Sequence, residues 1–247
     1  YATGFGDVAL CGGPGGAFSI GVVRAALGKG DVLSAFTDDS SVNLTKPRSR
    51  PAVAIIGSRV YVIGGQANAS DADIEMATLR SDGSLSTFAA QAGKLTKQRE
   101  GAAAAVVNDK LYVIGGDSSG TANTVEVATI NGDGTLGAFA TATVVGGATP
   151  VTMSTGRVGF RVVVVHQSRI SDPVAPRDGE RLCAIGDATT VQCATLDEAG
   201  RIKANFANVI TGAPSFGNPV FAMVNDTALF AGDQGNVQRT TISSAAG

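Results

Sequence analysis

The chain has 247 residues but no Trp, one His, three Cys and only 16% charged residues. Each shortage excludes something. A single histidine, His166, rules out a multi-histidine metal centre. Nothing around it supplies a Ser/Asp context for a triad, so it reads as a surface imidazole. Nineteen basic against 21 acidic residues leave a formal charge of −2, which excludes a basic footprint for nucleic acid or an anionic membrane surface. No apolar run approaches the roughly 20 residues needed to span a bilayer. The glycine-rich stretches never read GxxxxGK[ST], so no phosphate cradle is expected, and no cofactor.

What is abundant is glycine, 33 residues, against a background that is 44% hydrophobic. The glycines follow a repeat. Gly64-Gly65 and Gly115-Gly116 lie 51 residues apart, as do Phe88 and Phe139. Gly12-Gly13 and Phe36 stand 52 residues before their counterparts. Downstream, Gly186-Asp187 with Phe206, and Gly232-Asp233, repeat the pattern less faithfully. Five units result, the first and last incomplete, with approximate bounds 1–47, 48–98, 99–156, 157–215 and 216–247.

Each unit reads as four short strands: a small apolar strand a (Ala102–Val107), LYVIGG as strand b, the alternating TVEVATI as strand c, and a short strand d ending in the Phe. Asp82-Gly83 and Asp133-Gly134 predict two-residue type I′ hairpin turns between c and d. Four antiparallel strands at a period of about 50 residues predict an all-β fold, a β-propeller of four-stranded blades.

These residues resemble the kelch-repeat family. The resemblance is carried by Arg48 and Arg99 opening strand a, Tyr61 and Tyr112 in strand b, and the double glycines. The chain departs from the family where Phe replaces the strand-d Trp, the strand-c Tyr is missing, and Phe216 stands for the Arg of the fifth unit. The resemblance implies a propeller and leaves the function open, because propellers host binding, scaffolding and catalysis alike. The copper–tyrosyl site of kelch-type galactose oxidases is excluded by the single histidine.

The fourth unit is irregular. About 16 extra residues fall in VVGGATPVTMSTG, expected before strand a, and in HQSRISDPVAPRDGE, which replaces a tight a–b hairpin. Long loops on a regular scaffold either carry function or are tolerated insertions. Cys183 and Cys193 fall on strands b and c of this unit, opposite one another, and a disulfide is expected there with a Cα separation of roughly 5–6 Å. The alternative is a pair of buried thiols, as in a cytosolic protein. Cys11 aligns with Ile114 and reads as a core thiol.

Blade topology brings d–a and b–c loops to one face. Arg48, Arg99 and Arg157 are therefore expected to ring the central channel, joined by Gln66, Asp117, Asp187 and Asp233, with Lys46 and Lys97 nearby. Such a rim suits a polar or anionic ligand; the competing reading is that the Arg–Asp pairs tie blades together. Asn43, Asn68 and Asn225 match the N-glycosylation sequon. SDGSLSTF and GDGTLGAF faintly resemble the sialidase Asp-box, itself a hairpin turn.

The chain opens on Tyr1 without a signal-peptide core and ends where a turn is due, so a processed protein or a piece of a larger propeller is expected. The leading expectation is a non-catalytic, secreted or surface-exposed module whose partner is another protein or the rest of its own chain. A carbohydrate-binding propeller is the second reading, opposed by the lack of Trp. An enzyme acting on acidic sugars is the third, with no acid/base pair to name.

Overall fold

A computed structural model describes residues 7–11, 19–26, 37–66, 71–81, 83–116, 122–165, 180–186, 190–211, 220–224, 227–231 and 237–241. All its regular structure is antiparallel β, in five sheets taken in chain order. The first sheet holds β1 (Asp7–Cys11), β2 (Ser19–Ala26) and β3 (Thr37–Arg48). The second holds β4 (Ala52–Ile56), β5 (Arg59–Ile63), β6 (Asp73–Thr78) and β7 (Ala89–Lys94). The third holds β8 (Ala103–Val107), β9 (Lys110–Ile114), β10 (Val125–Thr129) and β11 (Ala140–Thr141). The fourth holds β12 (Arg161–Val165), β13 (Arg181–Ile185), β14 (Thr190–Thr195) and β15 (Ala207–Thr211). The last holds β16 (Val220–Val224), β17 (Thr227–Ala231) and β18 (Val237–Thr241). Each sheet is one blade, and the order within each four-stranded blade is a-b-c-d.

Strand a of one blade packs beside strand a of the next: β8 contacts both β4 and β12. The blades meet face to face through apolar side chains. One cluster joins Tyr61, Ile63 and Ile74 of the second blade to Leu111, Val113 and Phe139 of the third. Another joins Tyr112, Ile114 and Val125 to Leu182, Ala194 and Phe206 of the fourth. Strand b is buried on both faces, which is why it reads as a continuous apolar run rather than an alternating one. Leu111, Val113 and Leu182 are wholly buried.

Three local expectations are corrected. Strand d follows the Phe rather than ending in it: Ala89 pairs with Met76 and Ala140 with Val127, so Phe88 and Phe139 lead into β7 and β11. Their rings are buried and hold the entry to the outer strand. The c–d connection is a three-residue loop, not a two-residue one. The Gly134 N–H bonds the Asn131 carbonyl at 2.8 Å and only Gly134, at φ +81°, takes the left-handed conformation. This is a type I turn closed by a glycine bulge, because Asp133 lacks the positive φ that a type I′ turn demands. The first insertion lies inside strand d of the third blade rather than before strand a. The chain leaves β11, makes a small hairpin bridged at Thr143–Pro150, and returns where Thr152 pairs with Thr124.

The second insertion, with His166, lies outside the described residues except for its last residue, Glu180. Cys183 and Cys193 face each other in register on β13 and β14, their sulfurs 2.07 Å apart in a disulfide. Their Cα atoms are 4.1 Å apart, closer than the 5–6 Å expected and nearer the spacing of about 4.5 Å of a non-hydrogen-bonded cross-strand pair. Among the described residues no helix is long and apolar enough to cross a membrane.

Candidate functional site

The segments that pass from one blade to the next are nearly identical: Leu44-Thr-Lys-Pro-Arg48 and Leu95-Thr-Lys-Gln-Arg99. Each is caught by a carboxylate from strand c of the blade it enters. Glu75 accepts the Thr45 N–H at 2.5 Å, and Glu126 accepts the Thr96 N–H at 2.6 Å. The same carboxylates receive the arginines. Arg48 donates to Glu75 Oε1 through Nε at 3.1 Å and Nη2 at 2.8 Å; Arg99 donates to Glu126 Oε1 through Nε at 2.9 Å. The Nη1 donors go to backbone carbonyls, Gly64 at 2.7 Å for Arg48 and Gly115 at 2.5 Å for Arg99, and Arg99 Nη2 donates to the Thr124 hydroxyl at 2.8 Å. Burial pushes the Arg99 guanidinium below its ordinary pKa, and the Glu126 charge works against that shift.

The fourth blade repeats the device with a neutral side chain. Gln192 replaces the Glu and accepts the Ser154 N–H at 3.0 Å. Arg157 donates to the Gly186 carbonyl, the Thr190 carbonyl and, at 2.8 Å, the Thr190 hydroxyl.

The double glycine completes the connection. The Gly65 N–H bonds the Arg99 carbonyl at 2.8 Å, and the Gly116 N–H bonds the Arg157 carbonyl at 2.9 Å. A relay therefore runs from Arg48 through Gly64-Gly65, Arg99, Gly115-Gly116 and Arg157 to Gly186. Only glycine fits at its closest points: Gly64 has φ +61°, and a Cβ there would lie 2.6 Å from the Arg99 oxygen.

These contacts correct the expected rim. Arg48, Arg99 and Arg157 stand in the links between blades rather than at the start of strand a: Arg48 is the last residue of β3, and Arg99 and Arg157 precede β8 and β12. None lines an open channel, since all three are at most 1% exposed. Their donors are turned into the blade they enter. Gln66 is half-buried and pairs with the Ser49 backbone at 2.8 and 2.9 Å. Asp117, Asp187 and Asp233 lie outside the described residues, as do Asn68 and Asn225; Asn43 sits half-buried on β3.

The sequence reading missed Glu75 and Glu126. Their signal was present, since each stands 27 residues after its arginine. What remains exposed on this face is a different charged set. Asp73 is shared by Lys46 and by Lys94, the latter at 2.6 Å, and Lys46 also lies 3.6 Å from Asp71. These two lysines hold the Asp73 carboxyl down at about 2. Beside them the half-exposed Arg50 pairs with Glu100.

On the opposite face, Tyr61 donates its hydroxyl to the Gly134 carbonyl at 2.8 Å, and Tyr112 does the same to Gly200 at 2.8 Å. Each tyrosine thus reaches from strand b of its own blade to the c–d turn of the next. Desolvation is the first cause that pushes the Tyr112 hydroxyl up to about 12.

The Kelch motif family matches the chain at residues 47–76 and 98–127. Both matches begin one residue before the buried arginine and end one residue after its glutamate. These two units match the kelch motif, and the antiparallel four-stranded sheets that hold them are consistent with the blades of a kelch propeller. No curated protein matches it.

Proposed function

We propose that this chain is a non-catalytic, secreted or surface-exposed propeller that binds another protein through its d–a and b–c face. Kelch repeats commonly serve as structural modules for protein binding. The observation that carries the reading is a division of labour on that face. Arg48, Arg99 and Arg157 are consumed in the fold, while Lys46 and Lys94 stand 51% and 62% exposed at Asp73 and Arg50 stands 44% exposed at Glu100. A rigid face edged by mixed, solvent-reaching charge suits a polar protein surface. The Cys183–Cys193 disulfide favours an oxidising compartment.

Cross-linking of the chain in its native extracellular fraction, compared with a Lys46→Glu/Lys94→Glu variant, tests this reading. A partner captured by the wild type and lost by the folded variant supports it. A capture pattern unchanged by the charge reversal overturns it.

A further inference from the structure

The hairpin inserted in strand d of the third blade does more than lengthen a loop. In the second blade β7 runs for six residues along β6; in the third, β11 stops after two, and the chain swings outward. The excursion is tied at both ends. Val144 N–H bonds the Thr149 carbonyl at 2.9 Å, and Val145 N–H reaches across to the Ile202 carbonyl of the fourth blade at 3.0 Å. It therefore roofs a space instead of filling it. The cleft beneath has a volume of about 260 Å³, bounded by Lys110, Tyr112 and Val127 of the third blade, Val144 and Val145 of the roof, and Arg201 of the fourth blade.

The chemistry of this wall is one-sided. It carries two cations, the threonine hydroxyls of Thr141 and Thr143, and no carboxylate. Asp109 holds Lys110 at 3.0 Å and Asp197 holds Arg201 at 2.8 Å, but both aspartates stand outside the wall. A lysine has three donors and an arginine five, so each keeps donors beyond its aspartate. The valines supply the apolar part, and Val145 is 37% exposed. The volume lies just under the roughly 300–1,000 Å³ of ordinary small-molecule sites, which restricts the occupant to a compact molecule.

We infer that this cleft binds a small organic carboxylate, its anionic end between Lys110 and Arg201 and its apolar body against Val127, Val144 and Val145. The inference is independent of the protein-binding face, which lies at the other end of the blades.

Calorimetric titration of the intact chain with benzoate, alongside the neutral isostere benzamide, tests it. Saturable benzoate binding is expected, weakened about tenfold for benzamide and about tenfold in Lys110→Gln/Arg201→Gln, the cost of a lost charge-assisted contact. Both substituted side chains reach solvent, and an unchanged melting temperature verifies that the variant is folded. Should that variant be unstable, Val145→Trp, at an exposed roof position, fills the cleft and is expected to abolish binding. Absence of benzoate binding, equal affinity for benzamide, or undiminished binding by either folded variant overturns the inference.

Discussion

The hydroxyl of Tyr112 lies 2.8 Å from the carbonyl oxygen of Gly200, and this one bond crosses from the third blade to the turn of the fourth. Tyr61 and Gly134 make the same bond one blade earlier. Tyr112→Phe removes the donor and leaves the carbonyl in a buried setting. Urea unfolding is expected to register a loss of about 1–2 kcal/mol.

The same tyrosine sets an alkaline limit. Its pKa is raised in the folded state to about 12, so the fold favours the protonated form. Its contribution is complete below the unfolded value near 10 and is lost as pH climbs toward 12. Unfolding curves at pH 9 and pH 11 should show stability falling in the wild type and falling less in Tyr112→Phe.

Arg99 and Glu126 form a buried pair whose halves are not equivalent. Arg99→Ala leaves Glu126 buried without its cation, and a loss of about 3–5 kcal/mol is expected. Glu126→Gln should cost clearly less, since Gln192 already performs that role in the fourth blade by accepting the Ser154 N–H. Denaturant titration of the two variants measures the difference. Equal costs would refute the asymmetry.

Two glycines separate close approach from backbone conformation. Gly57 and Gly64 both have positive φ, +56° and +61°, but a Cβ on Gly57 meets nothing within 4 Å. Gly57→Ala is expected to cost about 1 kcal/mol from strain alone. Gly64→Ala adds a collision with the Arg99 backbone and should cost at least twice as much by the same unfolding assay.

The disulfide between Cys183 and Cys193 closes a short loop, with a sequence separation of 10. Chain-entropy arguments give about 2–3 kcal/mol for such a loop. Reduction, or a Cys183→Ala/Cys193→Ala variant, should lower the unfolding midpoint accordingly. A midpoint insensitive to reductant would contradict the bond.

Much of this architecture was legible because two copies repeat at a fixed distance. LYVIGG announced strand b, and its burial on both faces emerged only from the packed blades. The arginines were legible as positions but not as roles. Topology put them at a rim, whereas the side chains of Arg48 and Arg99 turn inward to carboxylates that stand 27 residues later in sequence. A single sequence shows that Glu75 and Glu126 recur but not what they face. The Asp-Gly dipeptide misled for a related reason: it suits both a two-residue turn and the bulged three-residue loop. The hydrogen bond that the Thr135 N–H donates to Asp133 Oδ1, at 2.9 Å, favours the latter. The cleft had no sequence signature, since it arises from a strand interrupted rather than from a motif.

The relay of arginines and glycines alters what counts as one building block. Cutting the chain between strand d and strand a would yield a sheet whose second glycine still needs the backbone of the following arginine. The portable cassette for grafting or shuffling is therefore staggered: it runs from one link arginine to the next and must be moved with both of them.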